Sequence, residues 1–209
     1  MAGERGAGDQ GRTRTSNPER SAATRLKVLE GAVEALNRFG YGGVTTTVLC
    51  EVSGVTRGGL LHHFPSKAGL MVATAEHCLT RLADDRRERR RAGDASRRDV
   101  IMESLLEPYG VALMELIVAS RSDPDLKARF GPVIDDLMRR QDHAVGKRAA
   151  AWGSDDLRRL HAMVYLHMAA RRGLAMLALA GAPADATADA LELLAEHREE
   201  IRQTLKSAP

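Results

Sequence analysis

The sequence predicts an all-α protein, with an N-terminal three-helix domain joined by a long helix to a helical bundle. Apolar residues recur at helical spacing in Leu26, Leu29, Val33, Leu36 and Phe39. No segment shows the alternation of a credible strand, and proline and glycine stand where the helical patterns end. A chain of 209 residues is long enough for a small domain fused to a larger one.

Composition narrows the function only slightly. Lys plus Arg outnumber Asp plus Glu by 31 to 28, a mild basic excess that fits a nucleic-acid partner and many other soluble proteins. Cys50 and Cys78 lie in apolar helical patterns, which argues against a disulfide framework. The N-terminus has no apolar signal-like run, and the longest apolar stretch, 173–182, is too short to cross a bilayer. We therefore expect a soluble, cytoplasmic protein.

The N-terminal elements can be placed in order. Residues 1–16 have almost nothing to bury and are predicted to be a disordered tail. Asn17 and Pro18 are typical of a helix start, and Gly40 follows the last apolar residue of the first helix, where a left-handed cap is wanted.

Residues 40–67 then predict a helix-turn-helix. A second helix over 46–53 is followed by a turn at Gly54 and by a third helix over 57–64, capped by Thr56. Ser66 can cap a long fourth helix that ends in the charge run 84–91. Because such a unit lays its second helix in the major groove, we expect a DNA-binding domain over residues 17–67.

The same segment resembles the DNA-binding domain of the TetR (tetracycline-repressor-like) family of bacterial transcriptional regulators. The matching features cover about fifty contiguous residues with the correct spacing. They are Val28 to Ala32, Phe39 to Tyr41, the threonines that open the second helix, Gly54 to Gly58, Leu60, His62 to Lys67 and Leu70.

The third helix is the expected recognition helix, with Arg57 as the base reader because a guanidinium can bond guanine O6 and N7 together. The resemblance implies phosphate contacts at His62, His63 and Lys67, and Lys67 also lies at a helix N-terminus that attracts anions. The full predicted DNA-binding set is Thr46, Thr47, Thr56, Arg57, Gly59, Leu61, His62, His63 and Lys67.

Two residues depart from the family pattern. Leu61 stands where tyrosine is usual, and it could pack on a thymine methyl or join the domain core. Gly59 follows Gly58 inside the recognition helix, where each glycine costs about 1 kcal/mol relative to alanine. Two explanations of Gly59 remain open. The glycine lets the backbone approach the DNA groove closely, or it is a substitution that the helix tolerates.

The remainder of the chain is predicted to be helical. Pro108 is expected to kink a helix that begins near Val100, and Asp123-Pro124 opens another helix. Ser154 can cap the next helix, and Gly181-Ala182-Pro183 breaks it before a last helix. The resemblance implies that 68–207 bind an effector and dimerise through the last two helices. The apolar run 174–180 permits a dimer interface, although a helix buried inside one chain would look the same.

A flexible and aromatic set of residues could line an effector cavity for an apolar guest. These candidates are Met102, Tyr109, Met114, Trp152, Met163, Tyr165 and Met168, each of which could equally be plain core. Arg171 and Arg172 could meet an anionic ligand or lie at a solvated rim, and the cluster 86–91 is interpreted as a solvated helix end. His143, His161 and His167 lack metal-ligand spacing, so neither a metal nor a cofactor is predicted.

The sequence thus predicts a dimeric, ligand-responsive repressor that binds a palindromic operator and is released by a small molecule. An all-α enzyme is a rival, but no acid, base or nucleophile set has a recognisable spacing. A helical small-molecule- or partner-binding protein with weak or sequence-blind DNA affinity is the other rival, kept open by Gly59 and Leu61.

Overall fold

The computed structural model describes residues 17–93, 100–153 and 156–207, so the predicted tail over 1–16 lies outside the described residues. Within these ranges the chain forms helices and no strand, which confirms the all-α prediction. The first four helices are α1 (Asn17–Gly43), α2 (Thr46–Ser53), α3 (Arg57–His63) and α4 (Lys67–Arg91). The others are α5 (Val100–Leu106), α6 (Pro108–Ala119), α7 (Pro124–Trp152), α8 (Leu157–Leu179) and α9 (Ala184–Ser207).

Helix α1 buries Leu29, Val33 and Leu36 of its predicted stripe, at most 4% exposed, whereas the end members Leu26 and Phe39 are 50% and 45% exposed. Gly40 has φ 63° and ψ 174°, so the positive φ expected at this glycine is present. However, the extended ψ makes Gly40 a break inside α1, and one further helical turn follows it to Gly43.

Side-chain caps define the two short helices. The Thr45 hydroxyl accepts a hydrogen bond from the Val48 N–H at 3.2 Å, so Thr45 precedes the predicted first residue of α2 as its cap. Gly54 takes the left-handed conformation at the turn, φ 66° and ψ 20°, as predicted. The Thr56 hydroxyl accepts from the Gly59 N–H at 3.2 Å and caps α3, also as predicted. Helices this short are not stable alone.

Helix α4 begins at its predicted cap, where the Ser66 hydroxyl accepts from the Gly69 N–H at 3.1 Å. Its 25 residues span about 37 Å at 1.5 Å per residue. One apolar cluster includes Leu49, Leu60 and Met71 together with Leu116 of α6 and Phe130 of α7. The predicted domain boundary after residue 67 is therefore crossed by continuous packing, and the division itself stays a prediction.

The C-terminal part follows its sequence signals with two differences. Pro108 separates α5 from α6 instead of kinking one helix, because Glu107 is extended and ends the run. Asp123 caps α7 as predicted, its Oδ1 accepting from the Leu126 N–H at 2.9 Å. Helix α8 is capped by Asp156, and the predicted cap Ser154 lies outside the described residues.

None of the described helices combines the length and the apolar character needed to span a lipid bilayer.

Candidate DNA-binding surface and effector cavity

Helix α3 presents one face to solvent and one to the core. Leu60 is 3% exposed and anchors the helix against α1 and α4. The outer side of α3 exposes Arg57, Gly58, Leu61 and His62. One helical turn separates Arg57 from Leu61. Leu61 is 41% exposed, so it does not belong to the buried core of the domain. Its side chain is therefore available to a thymine methyl.

The other predicted contacts surround this face. Thr47 is exposed and Thr46 half-buried at the start of α2, which leaves both hydroxyls near a free helix N-terminus. His62 is exposed and His63 half-buried at the end of α3, and their rings pack edge-on with centroids 5.3 Å apart. Thr46 lines one surface depression together with Leu61 and Lys67.

The two glycines of α3 differ in their surroundings. A Cβ at Gly58 would have no atom within 4 Å. At Gly59 it would lie 3.2 Å from Val55 Cγ1 and 3.4 Å from Thr56 Oγ1. Gly59 therefore faces the turn that precedes α3, and Gly58 is the glycine whose backbone is open to the solvent side.

Lys67 is exposed at the first position of α4 and is already tied to α1. Its Nζ donates to the Tyr41 carbonyl at 2.9 Å and lies 4.2 Å from the centre of the Tyr41 ring. Burial lowers the pKa of Lys67, and the Asp123 carboxylate opposes that change. Since an ammonium has three donors, the bond to Tyr41 leaves donors for a phosphate.

Tyr41 connects this surface to the second half of the chain. Its hydroxyl donates to Asp123, the cap of α7, and its N–H donates to Glu115 Oε1 of α6 at 2.7 Å. Asn37 adds a bond from Nδ2 to the Pro108 carbonyl at 2.9 Å. Burial, followed by the bond to Asp123, raises the pKa of Tyr41. The sequence identifies Tyr41 only as part of the family match and Asp123 only as a helix cap. It does not predict their hydrogen bond, because the two residues lie 82 positions apart.

A cavity of about 150 Å³ lies among α4, α5, α7, α8 and α9. Its polar lining consists of Gln141, His167 and five arginines, and its apolar lining of aliphatic and Met side chains. The arginines are Arg86, Arg148, Arg171, Arg172 and Arg198. The described residues that line the cavity include no Asp or Glu. An anion is therefore the ligand that this electrostatic environment favours.

Only two of the seven predicted cavity residues, Met163 and Met168, line this cavity. Met102 and Met114 belong to a separate buried cluster with Leu105 and Ala175, and Trp152 packs beside Val145 and Leu160. Tyr165 is 46% exposed, and its hydroxyl lies 2.7 Å from Met138 Sδ.

Tyr109 does not line this cavity and contacts α1 instead. Its hydroxyl donates to both Glu30 carboxylate oxygens, at 3.1 and 3.0 Å. It borders an open groove of about 830 Å³ between α1, α2 and α6. The charges along this groove are mixed in sign, as in Lys27, Glu30, Glu34 and Arg38, so they do not converge on one kind of ligand.

Sequence reasoning missed Arg86, Arg148 and Arg198 as cavity residues. Arg86 was taken as part of a solvated helix end, yet it is half-buried and lines the cavity. The signal was present in the helical period, because Arg86 continues the buried stripe of Cys78 and Leu82 on α4.

No group of three metal-ligating side chains occurs within 17–93, 100–153 and 156–207. His167 has Nδ1 2.8 Å from the Met163 carbonyl and Nε2 2.9 Å from the Leu194 carbonyl. His161 has its two ring nitrogens beside the Leu157 carbonyl and Asp142. Both imidazoles thus use their nitrogens within the protein.

Helix α8 exposes an apolar face in the single chain. Leu166, Met176 and Leu177 are 51%, 54% and 56% exposed. Ala162, Ala169, Gly173 and Ala180 are exposed at three- and four-residue spacing with them. Burial inside one chain therefore does not explain the apolar run of this helix.

Comparison with known proteins adds three similarities. Residues 28–74 match the family model of the bacterial regulatory proteins of the tetR family. The chain is 29% identical over 123 residues to the HTH-type transcriptional regulator CymR of Pseudomonas putida, across 54% of this chain and 59% of that protein. It is 38% identical over 61 residues to the HTH-type transcriptional repressor AcnR of Corynebacterium glutamicum, across 29% of this chain and 32% of AcnR. The matches thus span between a third and three fifths of these relatives.

The fold extends the likeness beyond the matched segment. A crystal structure described as a TetR-family transcriptional regulator from Rhodococcus sp. superposes with a TM-score of 0.67 at 22% identity. The superposition covers 87% of this chain and 99% of the Rhodococcus chain. The helix-turn-helix of α2 and α3 thus lies in the segment that matches the tetR family model, and the chain has the fold of the Rhodococcus protein.

Proposed function

We propose that this chain is a DNA-binding transcription regulator, a repressor that holds a palindromic operator as a homodimer and is released by a small molecule. The observation that carries the proposal is the outer face of α3, where Arg57, Leu61 and His62 are exposed behind a capped turn. In this proposal residues 17–67 read DNA, residues 68–207 bind the effector and dimerise, and no catalytic step is involved.

The α3 contacts divide into two roles. Arg57 reads a base edge, and Leu61 meets a thymine methyl. Thr46, Thr47, Thr56, His62, His63 and Lys67 hold phosphates, while Gly59 shapes the start of α3 next to the Thr56 cap. Phosphate contacts orient the protein on the duplex, whereas base contacts select the sequence.

The exposed face of α8 supports the homodimer. Contiguous exposed apolar surface marks an interaction site more often than chance exposure does. Small residues such as Ala169 and Gly173 within this face permit two helices to approach closely. A two-fold dimer places its two α3 helices in successive major grooves, about 34–36 Å apart, which demands a palindromic operator.

Helix α4 supports release by an effector. It carries Lys67 at its first residue and Arg86 at the cavity, so one rigid element joins the two sites. A ligand that binds more tightly to the protein with α4 shifted stabilises a dimer in which the two DNA-binding domains are wrongly spaced. The two α3 helices then no longer match one helical turn of DNA. The bonds of Tyr41 to Asp123 and Glu115 transmit the same shift.

The test uses the full-length protein and the DNA upstream of its own gene, with binding measured by fluorescence anisotropy at two salt concentrations. Arg57→Ala is expected to reduce the difference in binding free energy between the operator and a sequence with the wrong base by about 1–3 kcal/mol. Lys67→Ala is expected to weaken binding to all DNA sequences alike. It should also reduce the slope of log K against log salt concentration by about one. Arg129→Ala removes an exposed cation of α7 and serves as the charge-matched control.

Two results contradict the proposal. Absence of binding at low salt rejects DNA recognition altogether. Salt-sensitive binding that ignores sequence in the parent protein supports instead a helical ligand- or partner-binding protein with residual DNA affinity.

A further inference from the structure

The arginine-lined cavity is built from positions that a helical protein normally fills with apolar residues. On α8 the inward stripe runs Met163, His167, Arg171, Ala175, and all four residues are buried. Arg171 is only 7% exposed. An arginine in a core stripe is rare unless it is paired, because burying a cation is costly, and Arg171 Nη1 donates to the His167 carbonyl at 3.3 Å.

Two other helices repeat this pattern. On α9, Arg198 follows Leu191 and Leu194 and precedes Ile201 and Leu205, at spacings of three and four residues. On α4, Arg86 follows Cys78 and Leu82, which are 0% and 3% exposed. Arg86 and Arg171 thus reach the cavity from the buried stripes of α4 and α8, while half-buried Arg148 and exposed Arg198 join them from α7 and α9.

The cations in this cavity oppose one another. Burial, followed by the charges of Arg172 and Arg90, lowers the pKa of Arg86. Burial, followed by the charges of Arg198, Arg90 and Arg171, lowers the pKa of Arg148.

Arg86 also contains a polar atom without a partner. Among the described residues, its Nε is the buried side-chain nitrogen or oxygen atom that has no hydrogen bond. A guanidinium presents its donors in a fixed fork that matches carboxylate or phosphate oxygens. An anion in the cavity would satisfy this donor and reduce the repulsion.

Arg89 on the same helix shows that this arrangement is specific to the cavity. Its guanidinium binds Asp85 at 2.8 Å, Glu103 at 2.8 Å and also Glu107. Acidic partners are thus supplied one turn away, while the residues that line the cavity supply none. Arg86 thus brings a buried donor without a hydrogen bond to a cavity lining that holds no carboxylate.

The size and the remaining lining limit that ligand. A volume of about 150 Å³ is smaller than that of ordinary drug-sized pockets, which hold roughly 300–1,000 Å³. Leu105, Ala144, Met163 and Val164 supply an apolar part of the lining. The ligand therefore combines at least two negative charges with a short carbon skeleton.

We propose that this cavity is the effector site and that its effector is a compact multivalent anion, with carboxylate or phosphate groups held by Arg86, Arg148, Arg171, Arg172 and Arg198. The identification as an effector rests on the proposed regulatory function, whereas binding of the anion does not. Because Arg86 belongs to α4 and the other arginines to α7, α8 and α9, the bound anion draws α4 toward these helices.

The test measures ligand binding by calorimetry and by thermal unfolding on the full chain without DNA, at an ionic strength kept constant with NaCl. The probes are succinate, inorganic phosphate, choline as a cation and succinamide as a neutral analogue of succinate. Succinate or phosphate is expected to bind saturably and to raise the Tm. Choline and succinamide are expected not to bind. Stronger binding of succinate indicates a carboxylate effector, and stronger binding of phosphate a phosphorylated one.

Variants connect the binding to the cavity. Arg86→Gln and Arg172→Gln are each expected to weaken anion binding about tenfold or more, since hydrogen bonds to charged groups are strong. Without ligand these two variants should unfold at the same temperature as the parent or at a higher one, because a repelling charge has been removed. Arg87→Gln is the matched control, since Arg87 is exposed on α4 and pairs with Asp84 at 2.9 Å.

The outcomes separate this inference from the regulatory proposal. Absence of binding by both anions, or equal binding by the parent, Arg86→Gln and Arg172→Gln, overturns the anion site. If the anion binds through these arginines but operator affinity does not change, the cavity is an anion site and its role as effector site is overturned. A protein that binds the anion but no DNA overturns the regulatory proposal and with it the effector role, while the anion site stands.

Discussion

Single residues link the two halves of the molecule through a few polar contacts. Lys67 lies on the proposed DNA surface and donates to the Tyr41 carbonyl, while the Tyr41 hydroxyl donates to Asp123 at the start of α7. Asp123 in turn accepts the Leu126 N–H at 2.9 Å. One carboxylate thereby caps a helix of the C-terminal half and holds a residue next to the DNA-binding face.

The Asp123 carboxylate is expected to make stability depend on pH. Its bonds to the Leu126 N–H and the Tyr41 hydroxyl lower its pKa below the ordinary value. A depressed pKa contributes stability above the unfolded-state value of about 3.9, and this stability is lost as pH falls toward the folded-state value. Urea unfolding should show that the free energy of unfolding falls less between pH 7 and pH 3 for Asp123→Asn than for the parent. Asp189→Asn, at an exposed position of α9, is the control and should behave as the parent.

The two cysteines are expected to differ in reactivity. Both are free thiols, and burial raises the pKa of Cys78 to about 12, with Glu30 adding to the effect. Because the thiolate is the reactive form, iodoacetamide at pH 8 should modify half-buried Cys50 faster than Cys78. Mass spectrometry of the native and urea-unfolded protein measures both rates. Equal native rates would show that the Cys78 environment opens readily.

At the scale of elements, α1 and α2 pack closely enough to require a glycine. A Cβ at Gly31 would lie 2.6 Å from Ser53 Cβ and 2.9 Å from Ser53 Cα. The position of α2, and with it α3, therefore depends on a missing side chain in α1. Helix periodicity predicted both helices but not this contact, since Gly31 and Ser53 are distant in sequence.

Gly31→Ala is expected to destabilise the protein although alanine favours helix. The clash with α2 costs about 1–3 kcal/mol, more than the gain of about 1 kcal/mol in helix propensity. Gly146→Ala is the matched control on α7, because a Cβ there has no neighbour within 4 Å, and it should be neutral or stabilising. Chemical unfolding gives both free energies. A stabilised Gly31→Ala would mean that α2 can move away without cost.

At the scale of the whole molecule, the exposed face of α8 and the arginine cavity lie on the same helix. Leu166 and Leu177 face outward, while His167 and Arg171 face the interior. A dimer formed through α8 would therefore place the partner chain on the outer side of the helix that lines the cavity. Ligand binding and dimer geometry can influence each other through this one element.

Leu177→Glu is expected to convert dimers into monomers. It places a charge in the proposed interface, where burying it without a partner is costly. Val118→Glu is the control, since Val118 is 52% exposed on α6, close to the 56% of Leu177. Sedimentation measures the mass of both variants, and operator affinity should fall only for Leu177→Glu. A Leu177→Glu dimer as stable as the parent dimer would place the interface elsewhere.

The sequence by itself determined the all-α class and the helix-turn-helix, together with most helix ends. Apolar spacing, the Thr56 and Ser66 caps and Gly54 act within a few residues, so their physics is local and can be read along the chain. The same local signals placed Asp123 at the start of a helix, whereas Pro108, which was expected to kink one helix, separates two.

Only the tertiary structure decided which residues meet across helices. The cavity unites Arg86 and Arg198, which are 112 positions apart by their residue numbers, and it excludes five residues that were chosen because they are flexible or aromatic. Residue type cannot reveal such convergence, because it depends on the crossing of packed helices. The physical consequence is a change in the expected effector, from an apolar guest to a compact anion.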